Sequence, residues 1–127
     1  MSFFDKIFGS ENSEVNSKVN WIPLTEFSQL DEIVENSNDK TIGIFKHSTR
    51  CSISRFTLKQ FESEYNIENK VDLYFLDLLN HRDVSNEIAN RFQVIHQSPQ
   101  LIVIKNGVAV YDASHSDIEA EALEKYV

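Results

Sequence analysis

At 127 residues, with 41% hydrophobic content and nine Phe, four Tyr and one Trp, the chain is long enough to bury one substantial core as a single globular domain. Twelve basic against twenty acidic residues give a formal charge of −8, which argues against the basic face of a nucleic-acid binder. A single cysteine excludes an internal disulfide framework and no apolar run is long enough to span a membrane, so a reducing cytoplasm is the expected compartment.

In chain order, Phe3, Phe4, Ile7 and Phe8 form a short amphipathic turn broken by Asp5 and Lys6, too brief for a signal-peptide core. The polar stretch from Ser10 to Lys18 reads as a linker, which makes residues 1–18 an N-terminal arm and 19–127 the folded domain. Residues 19–24 predict an edge strand, because Pro23 cannot donate to a central ladder. Thr25 is placed to cap a helix whose apolar face holds Phe27, Leu30, Ile33 and Val34, closed by turn chemistry at 36–39. Residues 41–45 are a short strand rich in β-branched residues, and Ile53, Phe56, Phe61 and Tyr65 then predict one broad helical face.

Residues 71–77 predict a buried strand, and Val84, Ile88 and Phe92 one face of the helix behind it. The alternation continues to a strand at 101–104, which implies parallel pairing through crossovers. Asn106-Gly107 is the strongest hairpin signal in the chain, with 108–111 as its return strand. Ser116 is placed to cap a last helix carrying Ile118, Ala122, Leu123 and Tyr126. The sum is an α/β fold, a central mixed sheet flanked by helices on both faces.

Cys51 falls where the strand at 41–45 gives way to a helix. Counted on that helix it lies about 200° from Ile53, off the predicted stripe and partly in water. The first N–H groups of a helix lack internal partners and carry the positive end of the dipole, which favours a thiolate. Arg50 adjoins the cysteine and Arg55 stands one turn later, so two cations can add to the effect. Lone cysteines are more often inert packing. The helix-start position, Arg50 and the polar neighbours Ser52 and Ser54 support a nucleophile ionised near neutral pH instead.

Other constellations are weaker. His47, His81, His96 and His115 lack paired ligand spacing, so no metal site is expected and loop or solvent-facing roles are assigned to them. His47 is nearest the cysteine and could tune it electrostatically. Ser114-His115 with Asp117 lacks the Gly-x-Ser-x-Gly elbow of a hydrolase, and Gly9, Gly43 and Gly107 are too far apart for a phosphate loop.

The order of strand, cysteine at a helix start, strand, helix, proline, hairpin with Lys105-Asn106-Gly107 and closing helix resembles a thioredoxin-like fold. More narrowly, the segment from Phe45 to Cys51 with Ile53-Ser54, and Ser98-Pro99-Gln100 before the hairpin, resemble the monothiol bacilliredoxins of low-GC Gram-positive bacteria. The likeness runs from about Trp21 to the C-terminus. Ser54 stands where two-cysteine thioredoxins carry their resolving cysteine, and Ser52 replaces a proline common in the family's Cys-Pro-Ile-Ser motif.

The resemblance implies a thiol-disulfide oxidoreductase of the oxidative-stress response that uses Cys51 alone. Cys51 would take bacillithiol from S-bacillithiolated client proteins, and a second bacillithiol would regenerate it as co-substrate, with no bound cofactor. Electrons would come ultimately from a flavin- and NADPH-dependent reductase. Arg50, Ser52, Ile53 and Ser54 would shape the thiol's surroundings and the bound substrate. By the same resemblance the Ser98–Pro99 bond is expected to be cis, the Ser98 backbone to pair with an extended substrate, and Gln97 or Gln100 to add side-chain contacts. Restoring a donor at Ser52 predicts equal or greater thiolate stabilisation in a more mobile turn. A monomer, without nucleic acid or membrane, is the expected form. Two other readings are a redox-inactive binding module of this fold and a sensor whose thiol is capped without turning over.

Overall fold

The computed structural model describes residues 19–67 and 69–127. The expected amphipathic turn at 3–8 and the linker at 10–18 lie outside them. The elements are β1 (Ile22–Pro23), α1 (Phe27–Asn36), β2 (Thr41–His47), α2 (Ser52–Glu64), β3 (Val71–Asp77), α3 (Arg82–Phe92), β4 (Gln100–Lys105) and β5 (Val108–Ser114). Two 3₁₀ turns, His115–Asp117 and Ala120–Tyr126, close the chain.

The five strands lie in the order β1-β3-β2-β4-β5, with β3 parallel to both β1 and β2. β1 is an edge strand, as Pro23 requires. β4 runs antiparallel to β2, which corrects the expectation of parallel pairing. The reason is the reach of the connection. α3 rises about 16 Å, and the seven residues 93–99 can span up to about 23 Å. The chain can therefore return to the end of the sheet where β3 finished, and it enters β4 there, pairing Gln100 with Lys46. Asn106 and Gly107 both take left-handed φ, of 52° and 79°, and turn β4 into β5.

Side chains alternate across β2, so Phe45 faces α2 while Ile42 and Ile44 face α1 and α3. On the α2 face, Phe45, Phe61, Tyr65, Leu73, Leu101 and Leu123 form one core. Trp21 seals it, edge-on to Phe45 at 5.8 Å and to Phe75 at 5.5 Å, with its indole N–H donated to Glu62 Oε2 at 2.6 Å. On the other face Leu30, Ile33, Leu76, Val84, Ile88 and Phe92 pack against Ile42, Ile44, Ile102 and Ile104. Each such side chain contributes about 1.5–3 kcal/mol by leaving water.

Several local expectations shift. The N-cap of α1 is Glu26, and the Thr25 and Glu26 N–H groups both donate to Gln29 Oε1, at 2.7 and 3.0 Å. A side chain three residues into the helix thus satisfies both, displacing Thr25 from the role. Phe27 is exposed, because the buried stripe of α1 runs through Leu30 and Ile33. The last segment is 3₁₀, with Glu119 rather than Ser116 before its longer turn; Ile118 and Leu123 still reach the core. α2 buries Ser54, Thr57 and Phe61, leaving Ile53 58% and Phe56 69% exposed. Phe61 and Tyr65 are buried as expected, but in the first two turns the buried face has rotated by one residue, from Ile53 and Phe56 to Ser54 and Thr57.

Candidate active site

Cys51 is the N-cap residue of α2, in an extended conformation with φ −104° and ψ 120°. Its N–H donates to Ser48 O at 3.2 Å and its carbonyl accepts the Arg55 N–H at 3.1 Å, so its backbone closes one turn and opens the helix. The rotation of the stripe places Cys51 at its margin rather than far round the helix, and the residue is half-buried. Its thiol makes no capping hydrogen bond, and the first N–H groups of α2 stand beside it without intrahelical partners.

The turn before it is held from beneath. Ser54 is fully buried, and its Oγ accepts the Ser48 N–H at 3.1 Å while lying 2.8 Å from His47 Nδ1. His47, expected in a loop or facing solvent, is instead the last residue of β2 and is buried, its ring 5.3 Å from that of Phe75. A polar ring can be buried here because Ser54 satisfies it. Burial pushes its pKa down, partly offset by the charge of Asp77, so the imidazole is neutral at pH 7. Arg55, read as a cation for the thiol, gives its guanidinium to Thr49 O at 3.0 Å, which ties down the same turn.

The proline segment reaches the same end of the sheet. β2 leaves at His47 and β4 enters at Gln100, with Lys46 opposite Gln100. Cys51 and Pro99, lying just beyond those ends, flank one edge of the fold. The Ser98–Pro99 bond is cis. Pro99 is buried and its carbonyl accepts the His115 N–H at 3.0 Å. Ser98 is half-buried, and its Oγ is buried with no hydrogen-bond partner among the described residues.

Arg50, Ser52, Ile53 and Gln97 are exposed and open to contact, while Cys51 and Ser98 are half-buried. Ser54 and Gln100 are both buried and committed to internal bonds. Gln100 Nε2 donates to Ile95 O at 3.0 Å and its Oε1 accepts the Gln97 N–H at 3.4 Å, which pins the proline segment. His96 is an exposed loop residue, as expected, and Lys46, which sequence reasoning passed over, meets its Nδ1 under this segment at 3.2 Å. The signal for Lys46 was a lysine at an inward position of an otherwise apolar strand. Among the described residues, no group of three or more His, Cys, Asp or Glu is placed to hold a metal, and no helix is long and apolar enough to cross a membrane.

Comparison with known proteins agrees with this arrangement. Residues 22–123 match the family model of the monothiol bacilliredoxin BrxC. A solved protein assigned a thioredoxin fold and, provisionally, an oxidoreductase role is 33% identical over 82% of this chain and 90% of its own, with a TM-score of 0.70. Thioredoxin of Malassezia sympodialis is 18% identical over 87% of this chain and 90% of its own, at a TM-score of 0.66. Mitochondrial thioredoxin 3 of Saccharomyces cerevisiae is 15% identical over 84% and 92%, at 0.63. The last two likenesses concern the fold alone.

Proposed function

The chain belongs to the monothiol bacilliredoxin family, and on that premise we propose that it is a cytoplasmic thiol-disulfide oxidoreductase that removes bacillithiol from S-bacillithiolated proteins through Cys51. The observation that carries this reading is the position of the cysteine. It is half-buried at the mouth of α2, at the positive end of the helix dipole, and at the sheet end shared with the Ser98-Pro99 segment.

The thiolate of Cys51 attacks the bacillithiol sulfur of the mixed disulfide. The client–bacillithiol S–S bond breaks, the electron pair leaves on the client sulfur, and a new S–S bond joins Cys51 to bacillithiol. A second bacillithiol thiolate then attacks that sulfur, so Cys51 leaves as thiolate and bacillithiol disulfide is the product. No electrons remain to be supplied, and no bound cofactor is needed within the cycle. Exchange is fastest when the attacking thiol titrates near ambient pH, since nucleophilicity falls with acidity.

Ser54 takes no chemical part. Its hydroxyl is occupied by Ser48 and His47, so it orients the turn while a thiol from solution does the resolving. Arg50, Ser52, Ile53, Gln97 and the Ser98 backbone supply the surface on which the capped client lies. Pro99 shapes the segment that Ser98 presents. Exposed Ile53 and Phe56 offer apolar contact to a protein client.

The test is release of bacillithiol from a capped client, followed by mass spectrometry, with Cys51→Ala as control. Transient bacillithiol on Cys51 and free client thiol are expected from the native protein only. Equal behaviour of the two proteins would defeat the assignment. A stable adduct that free bacillithiol does not remove would mark a sensor.

A further inference from the structure

Lys46 is a buried cationic group that the exchange chemistry leaves unused. It is fully buried on the sheet face covered by α1 and α3. Its ammonium meets the Ser85 carbonyl of α3 at 3.3 Å and His96 Nδ1 at 3.2 Å. Among the described residues none of its ion pairs is with a carboxylate. A buried charge without a counter-ion costs more than it returns, and an apolar side chain of similar volume is usually the more stable choice. Stability alone therefore does not account for a lysine at this position.

What the lysine supplies is a bond out of the sheet to the segment before Pro99. His96 stands three residues ahead of that proline, and Ser85 Oγ lies 3.4 Å from the same His96 nitrogen. Burial, with the nearby charges of Lys46 and Arg82, lowers the His96 pKa. A neutral imidazole with its proton on Nε2 accepts the ammonium's hydrogen bond at Nδ1. Gln100, opposite Lys46 in the ladder, grips the segment from its other side through Ile95 O and the Gln97 N–H.

We infer that Lys46 is a positioning residue for thiol exchange, holding residues 95–98 through His96 where an extended mixed disulfide must lie to reach Cys51. The inference rests on the exchange function proposed above. It assigns substrate positioning to a side chain that no substrate touches.

The experiment compares the native protein, Lys46→Met, His96→Ala and the double variant. His96 is exposed, so its variant keeps the question open if Lys46→Met fails to fold. The readouts are exchange kinetics with a bacillithiol-capped peptide, alkylation of Cys51 by iodoacetamide, and amide hydrogen exchange at 95–100. Displacement of a substrate-aligning segment predicts a KM increase of about tenfold to a hundredfold, with kcat and alkylation close to native. The double variant should be no worse than either single one. Native KM in both single variants, multiplicative losses in the double, or alkylation falling in step with exchange would each overturn the inference. Should the native protein exchange no disulfide, the proposed function fails. Hydrogen exchange then still decides the tether, upheld by lost protection in Lys46→Met and overturned by unchanged protection.

Discussion

The two halves of the active edge hang from consecutive residues of β2 by different means. His47 faces α2 and, with Ser54, holds the cysteine turn through neutral hydrogen bonds. Lys46 faces α3 and holds the proline segment through a buried charge. The first device satisfies every group it buries and adds to stability. The second leaves an ammonium without a carboxylate partner among the described residues and subtracts from it. One strand end thus carries a tether that serves both folding and function and another that serves function at a cost to folding.

The largest expected effect tests the neutral side. Ser54→Ala strips partners from the Ser48 N–H and from buried His47 Nδ1, so urea unfolding should show a loss of about 2–4 kcal/mol. An unchanged midpoint would mean that these bonds hold nothing. Lys46→Met should move the other way. Burial lowers the lysine pKa from 10.5 to about 8, a cost of about 3 kcal/mol at neutral pH at about 1.4 kcal/mol per unit. Losing the bonds from the ammonium to the Ser85 carbonyl and His96 Nδ1 returns about 1–2 kcal/mol of that. The net gain in urea should be about 1–2 kcal/mol, and a loss would erase the contrast.

Titration sharpens the same contrast. Between about pH 8 and 10 the unfolded chain holds a proton on Lys46 that the fold releases, so native stability should rise with pH across that window. Lys46→Met should lose the rise. His47 and His96 both have depressed pKa values, so stability should fall as pH drops below their ordinary value of 6.5 and the unfolded chain takes up protons that the fold resists. His96→Ala should flatten part of that slope in urea melts at pH 5 to 7. Smallest of all, Phe56→Ala should change stability by less than about 0.5 kcal/mol, because the ring is exposed. A cost typical of a core residue would restore the helical face expected from the sequence.

Much of the edge was legible before the fold was known. Cys51 at a helix start, the edge strand with Pro23, the buried strand at 71–77, and the Asn106-Gly107 turn are local signals, and each stands where it was read. The orientation of α2 was not legible. Ile53 and Phe56 outweigh Ser54 and Thr57 in any hydrophobic count, yet the helix buries the smaller pair. Ser54 is needed under the turn, where its hydroxyl meets groups contributed by β2 and the loop. The direction of β4 escaped for a related reason, since a connection of seven residues can return to either end of a sheet.

Local patterning sufficed for the α/β class, the place of the thiol and the run of strands and helices, because apolar periodicity and turn residues act over a few neighbours. Which polar residues go inside, and what they hold once there, was settled only by packing. His47, Ser54, Lys46 and His96 are ordinary surface types in sequence. They become the supports of the active edge because partners distant along the chain meet them: His47, Ser54 and Lys46 in the folded interior, where an unsatisfied polar group is too costly to leave, and His96 at its margin.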